Sequence, residues 1–271
     1  MNGILERRQR PIWRGGLRRI VAVKRTLNLA AYKFVDLDHL PALRARIRAE
    51  ATVHGLLGTV LLAPEGINLV LAGAPPALRE FMAWLRGDAR LAGLSGKESW
   101  SASPPFGSLV VKIKREIIRI DQPVLRPATG RAPTVDAATL ARWLGAGHDD
   151  DGRAVMTLDT RNAFEVELGG FVGALDWRLA RFGDFPAALA THRDALHDKT
   201  VVTYCTGGIR CEKAALLMQA AGIENVRQLD RGILGYFEQT QGAPHWQGRC
   251  FVFDGRHSLD PALQPAVEPV G

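Results

Sequence analysis

The chain has little of what ties a small secreted fold together or anchors a protein in a bilayer. Its 271 residues include three cysteines, an odd number. That count excludes a closed disulfide framework and points to a reducing compartment, with the cytoplasm as the expected location. No apolar run is long enough to span a membrane, and no apolar leader core is present. The seven histidines, at 39, 54, 148, 192, 197, 245 and 257, show no ligand spacing with the cysteines, so no metal is expected. There is no internal repeat and no low-complexity tract. With 46% apolar and 23% charged residues, the composition is that of an ordinary globular chain, and the length suits two domains.

Most of the chain also lacks net charge. The formal charge is +7, yet eight of the 35 basic residues and only one of the 28 acidic ones fall in residues 1–25. The remainder balances. The basic character therefore belongs to an N-terminal extension. Three readings of it stand: an arm that contacts nucleic-acid phosphates, an Arg-rich targeting segment short of serine, or an upstream extension with no selected role. The last is preferred, because no fixed motif occurs in it.

What is present begins to be regular at residue 27. Residues 27–37 read as a strand. Asp38 would cap a helix carrying Leu40, Leu43, Ile47 and Ala51 on one face. Residues 58–62 and 67–71 form a hairpin about Pro64-Glu65-Gly66. Pro75 and Pro76 open a second helix, with Leu78, Phe81, Met82 and Leu85 inward. After an irregular stretch, 109–114 and 117–120 supply the last strand. The order β-α-β-β-α-β predicts a ferredoxin-like α+β sandwich over 26–121.

Residues 122–135, with Pro123, Pro127, Gly130 and Pro133, read as a linker. Beyond it strands and helices alternate: helix 137–144, strand 154–159, strand 174–177, helix 182–196, strand 200–204, helix 212–222, strand 226–229 and helix 232–240. This predicts a doubly wound parallel sheet over 136–245, followed by a tail at 246–271. In such sheets ligands sit beyond the C-terminal strand ends, where Asp159 and Cys205 both fall.

Cys205 closes the strand 200–204. A loop, Thr206-Gly207-Gly208-Ile209-Arg210, follows it, and then Cys211 and a helix. Loop amides and the helix N-terminus would face the sulfur, and Arg210 adds a cation; such surroundings depress a thiol pKa and create a nucleophile. A small buried structural thiol would need neither paired glycines nor the arginine. Upstream, Asp159-Thr160-Arg161-Asn162-Ala163-Phe164-Glu165 admits two readings: a capped helix start, which alone would explain Glu165, or a pocket role in which Asp159 and Arg161 shape the electrostatics around the cysteine. Glu65-Gly66-Ile67-Asn68 is most simply a turn, although its Glu and Asn could also meet RNA or the second domain. Cys250 reads as buried or idle.

Four residues separate Cys205 from Arg210, one fewer than in cysteine phosphatases, and this loop resembles that of rhodaneses. The longer string CTGGIRCEKA, at 205–214, together with Glu65-Gly66-Ile67-Asn68 and Asp159-Thr160-Arg161-Asn162, resembles the rhodanese-domain tRNA uridine(34) hydroxylase family. The resemblance covers about 27–254. It implies a rhodanese-like second domain and oxygen-dependent 5-hydroxylation of the wobble uridine. Implied with it are tRNA as partner, molecular oxygen as co-substrate and no evident resident cofactor; no protein partner is implied. By position Cys205 takes the rhodanese persulfide role and Arg210 stabilises its charge, with Asp159, Arg161 and Glu165 in support. Three departures stand out: Gly170 replaces a turn histidine, a cysteine-rich C-terminal tail is lacking, and Arg231 stands where relatives have a glycine before Gly232. A plain sulfurtransferase carrying sulfane sulfur on Cys205 is the alternative.

Overall fold

The structure, a computed structural model, describes residues 25–122 and 125–266. The basic extension up to residue 24, Pro123 and Val124 in the linker, and residues 267–271 lie outside the described residues.

The first sheet has the order β4-β1-β3-β2-β5, built from β1 (Thr26–Phe34), β2 (Leu57–Ala63), β3 (Gly66–Gly73), β4 (Gly96–Ser101) and β5 (Leu109–Ile113). β1 runs antiparallel to β3 and β4, β2 antiparallel to β3, and β5 parallel to β2. Successive side chains alternate across a strand, so Leu27, Leu29 and Ala31 face one way and Asn28, Ala30 and Tyr32 the other. The apolar side is covered by α1 (Leu40–Val53) and α2 (Pro75–Arg86), which bring Leu43, Ile47, Leu78, Phe81, Met82 and Leu85 into one core. The other side is left to the second domain.

Two sequence expectations are corrected here. The fourth strand of the sandwich is β4, inside the stretch read as irregular, while 109–113 forms a fifth strand on the far edge and 117–120 is not a strand. Gly96-Lys97-Glu98-Ser99-Trp100-Ser101 is an edge strand, and an edge need not show the apolar alternation by which strands are recognised. Asp38 does not cap α1: the helix starts after His39, whose backbone is left-handed at φ 46°, and Asp38 pairs with Arg90 instead.

The second sheet is parallel throughout, in the order β6-β11-β10-β7-β9. Its strands are β6 (Thr134–Val135), β7 (Val155–Asp159), β9 (Leu175–Asp176), β10 (Thr200–Tyr204) and β11 (Val226–Leu229). Between β7 and β9 lie α4 (Ala163–Val166) and β8 (Gly169–Phe171). One face carries α3 (Ala137–Ala146) and α7 (Gly232–Gln239), the other α5 (Phe185–His192) and α6 (Ile209–Ala220). The helix expected over 182–196 is broken: 3-10 turns flank α5 on both sides.

The segment read as a tail is part of this domain as far as residue 266. β12 (Trp246–Gly248) pairs with β8, β13 (Cys250–Phe251) pairs with β14 (Ser258–Leu259), and Trp246, Cys250, Val252 and Leu259 join Phe171, Tyr204 and Tyr236 in the core. Strands this short carry too few residues for a periodic signal. The linker is not free chain either, since Leu125 and Ala132 belong to the buried cluster that also holds Phe182 and Met218.

Candidate active site

β10 is buried along its whole length and delivers Cys205 to the edge where α6 begins. The turn between them depends on Gly208, at φ 97°, where a Cβ would lie 2.9 Å from the Tyr32 hydroxyl. Gly207 has open space around it and no such requirement. The loop is held from behind by α7: Ile233 N–H donates to the Cys205 carbonyl at 3.0 Å and Leu234 N–H to the Thr206 carbonyl at 3.1 Å. Gly232 must be glycine for that contact, since a Cβ there would meet the Cys205 carbonyl at 2.5 Å. With its carbonyls engaged, the loop turns its amides to the sulfur, and Gly208 N–H donates to Cys205 Sγ at 3.1 Å.

Burial alone would keep the Cys205 thiol protonated. It is outweighed by the Cys211 thiol, the Arg210 charge and the amides of Arg210 and Gly208, which hold Cys205 well below the ordinary thiol range. Cys211 is driven the opposite way, by burial and by the charge on Cys205, and stays a neutral donor beside Thr160 at 3.7 Å. Cys250 lies in the core, where burial pushes its thiol up to about 12. The arrangement assigns one nucleophile, Cys205.

Arg210 is fixed by Glu165 through two hydrogen bonds of 2.6 and 2.7 Å. Glu165 also accepts from Asn162 N–H at 3.0 Å, closing a capping box at the start of α4. The helix-start reading of Glu165 thus holds, and the same side chain also anchors Arg210 at the pocket. Asp159 and Arg161 belong elsewhere. They pair with each other at 2.6 Å, Arg161 donates to the Gly169 carbonyl at 2.6 Å, and its guanidinium lies 5.4 Å from the Trp246 ring. They tie β7 to β8 and β12. A side chain at Gly170 would point at Tyr204 Oη, 3.4 Å away, and at this pair; the position of the missing histidine backs onto the structural tie.

The rest of the motif faces the first domain. Glu212 receives Tyr32 Oη at 3.1 Å and Arg131 Nε at 2.8 Å. Lys213, 1% exposed, reaches Glu65 at 2.8 Å, Glu116 at 2.6 Å and the Ile118 carbonyl at 2.9 Å. Glu65 also accepts from Ile117 N–H at 2.7 Å, and Asn68 donates to the Ile117 carbonyl at 3.3 Å. Of the uses open to the two, the structure shows contact across the domain boundary for Glu65, through Lys213, whereas Asn68 is bonded within the first domain. Tyr32, Lys97, Glu116 and Arg131 were not singled out from the sequence. The alternation of β1 marks the face of Tyr32; no local signal marks the others.

Between the domains lies a cavity of about 540 Å³. One wall is the loop, with Cys205, Thr206, Gly207, Ile209 and Arg210; the opposite wall is the open face of the first sheet, with Tyr32, Asn68, Val70 and Lys97. Among the described residues, no cluster of His, Cys, Asp and Glu could hold a metal ion, and no helix is long and apolar enough to cross a membrane.

Residues 26–117 match the UPF0176 acylphosphatase-like domain, and residues 138–239 match the rhodanese-like domain. A tRNA uridine(34) hydroxylase of Variovorax paradoxus is 61% identical over 237 residues, which is 88% of this chain and 90% of that protein. The protein of the same name from Bordetella petrii is 61% identical over 240 residues, 89% of this chain and 95% of its own. That of Bordetella pertussis is 60% identical over 239 residues, covering 88% and 98%. At that level of identity, sustained through both domains, the chain belongs to the tRNA uridine(34) hydroxylase family.

Proposed function

We propose that this protein is an enzyme that hydroxylates C5 of uridine 34, the wobble base of tRNA, in the cytoplasm, with molecular oxygen as co-substrate. Cys205 is the nucleophile and Arg210 the group that keeps it ionised. The observation that carries this reading is the cavity, which puts an ionised thiol on one wall and a sheet face of mixed polarity on the other. A wobble base lies in a single-stranded loop, so it can be turned into such a pocket without melting a duplex. Ala30, Val70 and Leu61 offer apolar surface to a base, and Tyr32, Asn68 and Thr59 offer hydrogen-bonding groups between them.

The RNA backbone is served by the rim. Arg119 and Arg181 line the cavity with side chains 77% and 78% exposed, each in a surface ion pair, with Asp121 and Asp184. Such pairs are worth about 0–1 kcal/mol and exchange readily for a phosphate. Lys112 continues the row of Tyr32, Asn68 and Leu61 outward along the same sheet.

The test is mass spectrometry of wobble nucleosides from cells with and without the gene, in a background lacking any redundant pathway. Loss of 5-hydroxyuridine and its derivatives is the expected result; an unchanged profile rejects the reading. The rhodanese-like loop also fits transfer of sulfane sulfur, and efficient release of thiocyanate from thiosulfate and cyanide by the purified protein would favour that alternative.

A further inference from the structure

Lys97 is the cation of the cavity that no carboxylate among the described residues neutralises. It stands on β4 directly across from Ala30, in the row that continues through Val70 and Thr59. Its ammonium lies 5.1 Å over the Tyr32 ring. The hydroxyl of that ring is fastened to Glu212, on the helix that Cys205 precedes. The loop runs close to Tyr32 at Gly208, where an added Cβ would meet the hydroxyl. Lys97 is thus held at a set height on the wall facing Cys205.

Its surroundings do not favour charge. Burial comes first and the nearby Arg231 second, and together they bring the amine down to about 8; Cys205, Asp230 and Glu238 pull the other way and do not restore it. A half-buried ammonium with no partner is costly unless something arriving in the cavity supplies one.

We propose that Lys97 is a catalytic residue that binds the C4 carbonyl oxygen of the uracil and neutralises the oxyanion formed there when the Cys205 thiolate adds to C6. In that step the S–C6 bond forms, the C5–C6 π pair shifts to C4–C5, and the C4–O4 π pair becomes a lone pair on O4. No proton leaves the base and no oxidant is needed. The product is an enolate with C5 as its nucleophilic carbon, the carbon to be hydroxylated. Protonation at C5, loss of the original hydrogen and expulsion of the thiolate return uracil with its C5 hydrogen exchanged for one from water. Nucleophile and counter-charge on opposite walls is the arrangement this step requires. The inference rests on the proposed function only for the identity of the base.

The test uses the full chain and an anticodon stem-loop RNA carrying deuterium at C5 of uridine 34. Exchange with water is followed without oxygen, and hydroxylation is followed in air. Wild-type protein should exchange the label and Cys205→Ser should not. Lys97→Met should exchange about 100-fold more slowly, the size of effect seen when one oxyanion donor is removed, while Cys205 stays open to alkylation at neutral pH, which reports an intact loop. Lys97→Arg should recover much of the rate. The wild-type rate should fall as pH rises through about 8, where Lys97 loses its charge, and Lys97→Arg should lack that limb because arginine stays protonated. Hydroxylation in air without exchange, or exchange by Lys97→Met at the wild-type rate, overturns the inference and leaves the proposed function standing. Exchange without hydroxylation does the reverse, and absence of both rejects both.

Discussion

Arg161 and Arg210 are both buried, and each is bound to one carboxylate by short hydrogen bonds at the same edge of the second sheet. They differ in what lies on the open side of the guanidinium. Arg161 has the Gly169 carbonyl and the core rings of Tyr204 and Trp246 around it. Arg210 borders the cavity and adds its charge to Cys205. The first pair is assembled within one turn of chain, since Asp159 is two residues from Arg161. The second joins the first turns of α4 and α6, with its partners 45 positions apart in the chain. An arginine near a strand end therefore declares its role only through its third neighbour, which sequence spacing does not show.

The strongest way to break this comparison is to remove each arginine in turn. Arg210→Met should lower hydroxylation by about 10²–10³-fold, as loss of a preorganised electrostatic group does. It should also move the pH profile of Cys205 alkylation upward. Arg161→Met should leave that profile in place and destabilise the protein by about 3–5 kcal/mol, because Asp159 is left as a buried charge without a partner. Iodoacetamide kinetics separate the two variants, while chemical denaturation should read a loss in both, since Arg210→Met likewise leaves Glu165 buried without its partner. An equal shift of the thiol profile in Arg161→Met would erase the distinction.

A smaller effect is expected across the domain boundary. Lys213 is nearly inaccessible, but Glu65 and Glu116 are 22% and 18% exposed and can be rehydrated. Lys213→Met should therefore cost less than loss of Arg161, about 1–3 kcal/mol. Its mark should be thermal unfolding that separates into two transitions. A single transition at the wild-type temperature would show that the cluster does not couple the domains.

Cys205 sharpens the comparison through pH. Its folded-state pKa is depressed, so its contribution to stability is fully present above the unfolded thiol value of about 8.5. It is lost as pH falls through the depressed value. Across that window wild-type stability should rise with pH by at most about 1.4 kcal/mol per unit from this group. Cys205→Ser should remove that component of the slope, and identical slopes in the two proteins would mean that the thiol is not ionised in the fold.

The same local-versus-distant contrast governs what could be read from the sequence. The Cys205 loop was legible because strand, glycine, arginine and helix follow one another within a dozen residues. The cores were legible where alternation was strong, as in Leu27, Leu29 and Ala31, or in the helix carrying Leu78, Phe81, Met82 and Leu85. The polar edge strand β4, and Lys97 with it, was not, because its position is set by pairing with β1 rather than by its own composition. The meeting of Glu65 with Lys213, 148 residues apart, leaves no mark in either local string. Trp246 to Leu259 looked like a tail because strands of two or three residues carry no period.

Arg231 is a third arginine and marks the weak end of the comparison. It stands in left-handed backbone at φ 61°, its Nε is buried without a hydrogen-bond partner, and one Nη pairs with Glu238. Arg231→Gly would relieve about 1–2 kcal/mol of left-handed strain. Against that stand the looser unfolded chain, about 0.4–1 kcal/mol, and a partly exposed ion pair worth about 0–1 kcal/mol. The net change in stability should stay within about 1 kcal/mol. What should move is the titration of Lys97, whose charge Arg231 opposes. Without that neighbour the amine rises from about 8 toward the ordinary lysine range, and the alkaline limb of C5 exchange should shift upward with it. Burial is the larger cause and persists in the variant, so the shift should be partial. A limb that stays where it was would assign the whole depression to burial, and Arg231 would then be an arginine whose charge reaches neither the thiol nor the amine.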